Sequence, residues 1–332
     1  MKKFFARLKD YSGLIVVLIL LCVIFQAQNQ RFLTFDNIIG VMRQLSVYGI
    51  VGIGMGFLIL NGYLDLTVGS IVGLCGVTVG MLMTRLDMSM WVAMLLTVLV
   101  GGIIGLFNGA VITATGIPAF IFTLSMTGVY RGIIYLITKG ATINKFEDDF
   151  LAIGRSSFLG VPIPIYIFIA VLLIAWVILS KTTFGRSVYV AGGNPLAARY
   201  SGLNNKRITI ACYGISGVTA AIAGIVLASK LTSAQPSLGT SLEMEAISVA
   251  VIGGMSFNGG EGSIIGILLG AMVMGVIDNG MIMIGITSYW QQVVKGIVIV
   301  IAVIFDIYRK KGVFSQLKKM RKLLKRSFLY LC

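Results

Sequence analysis

Few residues in this sequence are equipped for chemistry. Asp65 is the one acid embedded between two apolar runs, closing the segment Asn61-Gly62-Tyr63-Leu64-Asp65, and Asp278 interrupts a later apolar run. A charge at membrane depth is costly unless it faces a wet cavity or a partner. Asp65 therefore reads as a group on a translocation pathway or as a cap accepting from the backbone N–H of Val68, and both readings stand. Asn108 and Asn279 lie in apolar runs and suit hydrogen bonds between helices as well as the lining of a pathway. Asn61, Tyr63 and Asn258 flank the two places where apolar runs break off, and with Asp65, Asn108 and Asn279 they are the residues expected on the translocation pathway.

The missing residue types exclude whole classes of reaction. The chain has no His, which removes the usual metal ligand and proton relay. Its four cysteines, Cys22, Cys75, Cys212 and Cys332, have neither metal-ligand nor disulfide-framework spacing. No Gly-x-x-x-x-Gly-Lys-Ser/Thr phosphate loop is present, and no nucleophile or metal constellation marks an embedded enzyme. The expectation is a non-enzyme with no catalytic residues, no metal and no directly bound cofactor.

Membrane helices must position these groups. The 332 residues are 57% apolar and 12% charged, with a mean hydropathy of +0.96, whereas a soluble domain carries about a quarter charged residues. At about 20 residues per crossing, the length gives a single all-α transmembrane domain, 1–332, of about ten helices. The apolar windows run near Leu14–Phe25, Ser46–Leu60, Leu66–Met83, Met90–Ile112, Pro118–Ile137, Ile163–Leu179, Ile208–Ala228, Ile247–Met255, Ile264–Ile286 and Trp290–Ile307. The first follows a basic start but lacks a small-residue cleavage site, so it reads as an uncleaved span.

Charge placement orients the spans. The net charge is +15, yet 18 of the 27 basic residues fall in three short stretches. These are the N-terminus (Lys2, Lys3, Arg7, Lys9), the loop 181–207 and the tail 309–332. Short basic loops stay cytoplasmic, so both termini and the loop are expected inside the cell, and no soluble basic domain is left for nucleic acid. The loops around Glu147, Asp148 and Asp149 and around Glu243 and Glu245 are expected outside. The tail Lys318–Arg326 suits anionic lipid as a basic amphipathic helix, and topology enforcement explains it equally well. Cys332 completes no prenylation box.

Two spans are abnormal. The second breaks at Asn61–Asp65, and the eighth has nine strongly apolar residues before Ser256-Phe257-Asn258-Gly259-Gly260-Glu261-Gly262. Broken helices at membrane depth need protein or a wet cavity to satisfy their backbone. Gly69-Ser70-Ile71-Val72-Gly73 is echoed by Gly262-Ser263-Ile264-Ile265-Gly266, and Gly105 through Asn108-Gly109 by Gly275 through Asp278-Asn279-Gly280. The echoes suggest an internal repeat, parallel or inverted, of the kind that places a pathway between its halves.

The basic loop holds one further element. In Gly192-Gly193-Asn194-Pro195-Leu196-Ala197-Ala198-Arg199-Tyr200-Ser201-Gly202, Asn194 suits an N-cap, Pro195 the first helical position and Gly202 the position past the end. A short helix bounded at both ends reads as a connector or as a docking helix for a cytoplasmic motor.

These residues also carry a family resemblance. The chain resembles the permease subunits of bacterial ATP-binding-cassette importers for monosaccharides, the ribose permease group, from about Phe35 to Asp306. The likeness rests on Leu64-Asp65-Leu66-Thr67-Val68-Gly69-Ser70, on Gly192-Gly193-Asn194 through Ala197-Ala198-Arg199 to Ser201-Gly202, and on Ser233-Ala234-Gln235-Pro236. It rests also on Val251-Ile252-Gly253-Gly254 through Gly262-Ser263, and on Asn279-Gly280 through Ser288-Tyr289-Trp290-Gln291. The sequence departs at Tyr63, where the family usually has Gly, at Glu245, where Asp is usual, and in a longer basic tail beyond Gly312.

The resemblance implies a multi-pass permease of the bacterial inner membrane that carries a pentose, hexose or related sugar. The implied partners are a second permease copy or a related permease, a cytoplasmic ATPase that uses the ATP, an extracytoplasmic sugar-binding protein and membrane lipid. Gly193, Asn194, Pro195, Ala197, Ala198, Arg199, Ser201 and Gly202 would form the ATPase docking segment. The competing expectation from another class is an ion-coupled secondary transporter of a small polar solute.

Overall fold

The computed structural model describes residues 11–310, without the side chains of 302 and 305–310. The basic N-terminal residues up to Lys9, and the tail beyond residue 310, lie outside the described residues.

Every apolar window carries a helix. They are α1 (Ser12–Gln28), α2 (Phe35–Leu60), α3 (Val68–Thr84), α4 (Met90–Thr115) and α5 (Ala119–Thr138), with α6 (Asp148–Arg155) in the connection that follows. Strands β1 (Ser157–Phe158) and β2 (Val161–Pro162) then form a small hairpin whose turn, Leu159-Gly160, has positive φ at both residues. After them come α7 (Ile163–Lys181), α8 (Thr183–Gly193), α9 (Pro195–Tyr200), α10 (Asn205–Leu231), α11 (Leu242–Ile252), α12 (Ile264–Met283) and α13 (Ser288–Lys310).

By length and composition, six of these helices can cross a membrane: α2, α4, α5, α7, α10 and α12. At 17 residues, α1 and α3 are shorter apolar helices. The bundle is apolar on its outside, as lipid requires. Trp91, Leu95, Leu99, Ile103 and Phe107 on α4, and Phe120, Ile121 and Leu124 on α5, are exposed, whereas Asp65, Thr97, Asn108 and Asp278 are buried. The chain is thus a helical, multi-pass membrane protein.

Helix α10 sits at the centre, packed on α2, α3, α4 and α6. Small residues make the seam with α4: a Cβ on Gly109 would lie 2.8 Å from Ile210 Cα, and one on Gly101 2.6 Å from the Gly217 carbonyl oxygen. Between membrane helices, such close backbone approach replaces the hydrophobic drive.

Several boundaries differ from the apolar windows. Helix α2 starts eleven residues before Ser46, since Phe35-Asp36-Asn37 continues the helix despite its polarity. The eighth span is an 11-residue helix that begins at Leu242 and stops at Ile252. Glu243 and Glu245 therefore lie in its first turn and not in a loop, and Glu245 is buried. The echoed motifs do not share one repeat register either. Gly69 and Gly105 lie on the separate helices α3 and α4, whereas the second echoes, from Ser263 to Gly280, follow one another along α12. The pairing that survives is of breaks: 61–67 before α3, and 253–263 before α12.

Candidate functional site

The first break runs inside the bundle. Asn61, just past α2, donates through Nδ2 to Thr209 Oγ1 on α10 at 2.8 Å. The Asp65 carboxylate accepts from Ser216 on the same helix at 3.5 Å. Seven residues of helix separate Thr209 from Ser216, about 10 Å of rise, so the segment climbs back into the interior before α3 begins.

Side chains from three helices satisfy the polar groups of this buried segment. Tyr213 on α10 donates to the Leu64 carbonyl at 2.9 Å, and Thr127 on α5 to the Leu66 carbonyl at 2.8 Å. Asp65 Oδ1 accepts from the Thr67 backbone N–H at 2.8 Å and from the Thr67 hydroxyl. Asp65 is thus a cap, but of Thr67, one residue nearer than the expected Val68. Asn108 on α4 donates to Thr67 Oγ1 at 3.1 Å and accepts from the Tyr130 hydroxyl on α5 at 2.6 Å. The result is a continuous chain from Ser216 through Asp65, Thr67 and Asn108 to Tyr130, wholly inside the bundle. Tyr63 packs edge-on to Tyr213, with ring centroids 6.3 Å apart.

The two breaks meet at the α9 end of the molecule. The Gly260 N–H donates to the Leu60 carbonyl, the last of α2, at 2.8 Å. Gly192, at the end of α8, lies so close to Leu60 and Asn61 that a Cβ would overlap the Leu60 carbonyl oxygen, and Gly259 and Gly260 press on Gly192 and Gly193. The Tyr189 hydroxyl on α8 holds the Gly262 carbonyl at 3.0 Å. Four glycines thus let the α8–α9 corner touch both breaks through backbone.

The short helix α9 forms as its sequence dictates. Asn194 Oδ1 accepts from the Ala197 N–H at 3.0 Å, Pro195 opens the helix, and Gly202 follows it with φ +81°. Of the eight residues expected in the docking segment, Gly193, Asn194, Pro195, Ala197, Arg199, Ser201 and Gly202 are exposed. Ala198 is fully buried, whereas Leu196 and Tyr200 are 67% and 89% exposed. Four residues apart, these two share one face. Spacing alone could have found them, because two large apolar residues at i and i+4 on a helix bounded by Asn and Gly form a knob.

The remaining candidates lie elsewhere. Asn279 on α12 exchanges two hydrogen bonds with Asn37 on α2, at 2.8 and 2.9 Å. Asn258 is exposed in the turn after α11. Neither joins the Asp65 chain.

Sequence reading missed one cluster. Lys295 on α13 pairs with Glu245 on α11 and with Asp278 on α12, the latter at 2.9 Å. Tyr48 on α2 donates to Asp278 Oδ2 at 2.6 Å. Two buried carboxylate oxygens, Glu245 Oε2 and Asp278 Oδ1, have no hydrogen-bond partner among the described residues. The signal was available: a lone Lys inside the apolar window Trp290–Ile307 demands an acid.

Comparison with known proteins gives this geometry a context. Residues 37–303 match the family described as branched-chain amino acid transport system / permease component. The chain is 39% identical over 309 residues to the ribose import permease protein of Bacillus subtilis, covering 92% of this chain and 94% of that protein. It is 38% identical over 308 residues to the L-arabinose transport system permease protein of Escherichia coli, covering 93% and 94%. Against the D-allose transport system permease protein of Escherichia coli it is 36% identical over 303 residues, covering 91% and 93%. No solved structure matches it.

Proposed function

Because the chain belongs to the branched-chain amino acid transport system / permease component family, we propose that it is the membrane-spanning permease subunit of an ATP-driven monosaccharide importer. The family description names amino acids, but the relatives described above are permeases for ribose, arabinose and allose, which favours a sugar. It also favours an importer subunit over an ion-coupled carrier. In this reading α1–α5, α7 and α10–α13 make ten crossings of the bacterial inner membrane, with both termini and the loop 181–207 in the cytoplasm. The basic charge of the tail, 309–332, suits anionic lipid and the positive-inside rule alike.

One observation carries the mechanism: α9 projects Leu196 and Tyr200 from a corner whose glycines abut both helix breaks. A separate ATPase would grip α9, burying those two side chains. Its nucleotide-driven movement would then pass through Gly192 and Gly193 to Leu60 and Gly260 without a compliant side chain between. The segment Asn61–Thr67 moves in consequence, and with it Tyr63, Asp65 and Asn108, which we assign to the pathway wall. The ATP serves the partner subunit, while a sugar-binding protein delivers substrate to the opposite face and a second permease copy completes the conduit.

The test is co-purification. Leu196→Asp combined with Tyr200→Asp is expected to abolish ATPase association and sugar uptake while the chain still inserts. Retained ATPase binding, or uptake that persists without the ATPase and collapses with the proton gradient, refutes the reading. A thiol introduced by Asn194→Cys and labelled from the outside of intact cells refutes it equally.

A further inference from the structure

At the end of the bundle opposite α9, a pocket of about 290 Å³ opens between α2, the last turn of α10 and the connection to α11. Its volume is at the low end for small-molecule sites, about 300 Å³. The floor is apolar, from Val47, Leu227 and Leu238, and the rim is polar, from Gln44, Lys230, Gln235 and Ser237. A monosaccharide has the same pattern, with C–H faces and an edge of hydroxyls.

The pocket is held in shape before any ligand arrives. Arg131 on α5 donates to the carbonyls of Pro236 and Leu238, each at 2.8 Å. Ala234 and Ile143 exchange backbone hydrogen bonds at 2.8 and 3.0 Å. Gly239 seats the loop on α3, where a Cβ on Gly69 would lie 2.5 Å from the Gly239 carbonyl oxygen. These contacts fix the loop while leaving rim groups unused. Among the described residues, Lys230 is in neither ion pair, and the side chains of Lys230, Gln235 and Ser237 have no hydrogen bond of their own. Gln44 spends its amide N–H on the Tyr48 hydroxyl at 2.8 Å and keeps its carbonyl oxygen. The rim thus offers an ammonium, amide donors, amide acceptors and a hydroxyl, with no carboxylate.

We infer that this pocket binds a polyhydroxylated ligand of monosaccharide size, with Gln44, Lys230 and Gln235 bonding its hydroxyls. The inference rests on the importer reading for its biological sense, since the pocket would receive sugar from the binding protein.

Two measurements test it, one independent of transport. In a chain whose native cysteines are replaced by Ser, the thiol of a Ser237→Cys variant is labelled with a membrane-impermeant maleimide. D-ribose, L-arabinose or D-allose is expected to slow labelling saturably, whereas glycine betaine at the same concentration does not; no slowing by any of the three overturns the inference. In proteoliposomes holding the complete importer, Gln44→Ala with Gln235→Ala is expected to cut uptake about tenfold, the loss of two side-chain hydrogen bonds. ATP hydrolysis stimulated by the binding protein should persist. Unchanged uptake, or hydrolysis that falls with uptake, overturns the sugar site, the second result pointing to a protein-docking contact instead. A wild-type complex that transports none of the three sugars, while the Ser237→Cys chain is still protected by them from labelling, sinks the importer reading and leaves this site standing.

Discussion

Replacing Gly260 by Ala puts a methyl group where the two helix breaks touch the α8–α9 corner. The new Cβ would lie 2.5 Å from Gly193 Cα and 2.8 Å from Gly193 N, inside the 3.0 Å below which something must shift. No flexible side chain is there to give way, so backbone must move. The residue also has φ +74°, a left-handed conformation that costs a non-glycine residue about 1–2 kcal/mol. Overpacking adds about 1–3 kcal/mol, and a retreat of residue 260 stretches its 2.8 Å hydrogen bond to Leu60, worth about 1 kcal/mol.

Gly202→Ala supplies the control, because Gly202 has φ +81° but nothing within 4 Å of the built Cβ. It should show the backbone penalty alone. Titration of the detergent-solubilised protein with SDS, followed by circular dichroism, should find Gly260→Ala more destabilised than Gly202→Ala by about 2–4 kcal/mol. In the reconstituted complex the same variant should hydrolyse ATP while moving less sugar per ATP. Equal destabilisation of the two variants, with unchanged sugar-to-ATP stoichiometry, refutes both the close-packed corner and its transmitting role.

Three further outcomes follow from the same contacts. Asp65→Ala strands the Thr67 N–H and hydroxyl and should cost about 1–3 kcal/mol per orphaned group, while Asp65→Asn keeps an acceptor and should cost less than half as much; equal losses in an SDS titration would discredit the capping account. Lys295→Met leaves Glu245 and Asp278 facing each other without a cation, an expected loss of about 3–5 kcal/mol. Adding Glu245→Gln and Asp278→Asn should recover most of that loss, and a triple variant no more stable than Lys295→Met contradicts the pairing. Asn194→Ala removes the α9 cap, worth about 1 kcal/mol, and should weaken ATPase association measurably in a pull-down without altering the amount of inserted chain.

Hydropathy alone located a helix at every apolar window, because burial in lipid leaves the backbone little else to form. Local rules also fixed α9 in full: its cap at Asn194, its start at Pro195 and its stop before Gly202 depend on residues within one turn. Boundaries went astray where polar residues continue a helix, as at Phe35-Asp36-Asn37, since packing there outweighs propensity. The same limit misplaced Glu245, whose acidic character suggested a loop while its distant partner Lys295 allowed it into a helix.

What depended on the tertiary structure is what long-range contact determines. The sequence established an apolar bundle with two interruptions, one embedded acid and a short capped helix in a basic loop. Only the folded chain decided that Asp65 reaches Ser216, 151 residues away, that Gly260 closes on Leu60, and that Leu196 and Tyr200, not Ala198, face outward. Periodicity and propensity act over a turn or two of helix, whereas these pairings are set by which helices lie side by side, and no local rule carries that information.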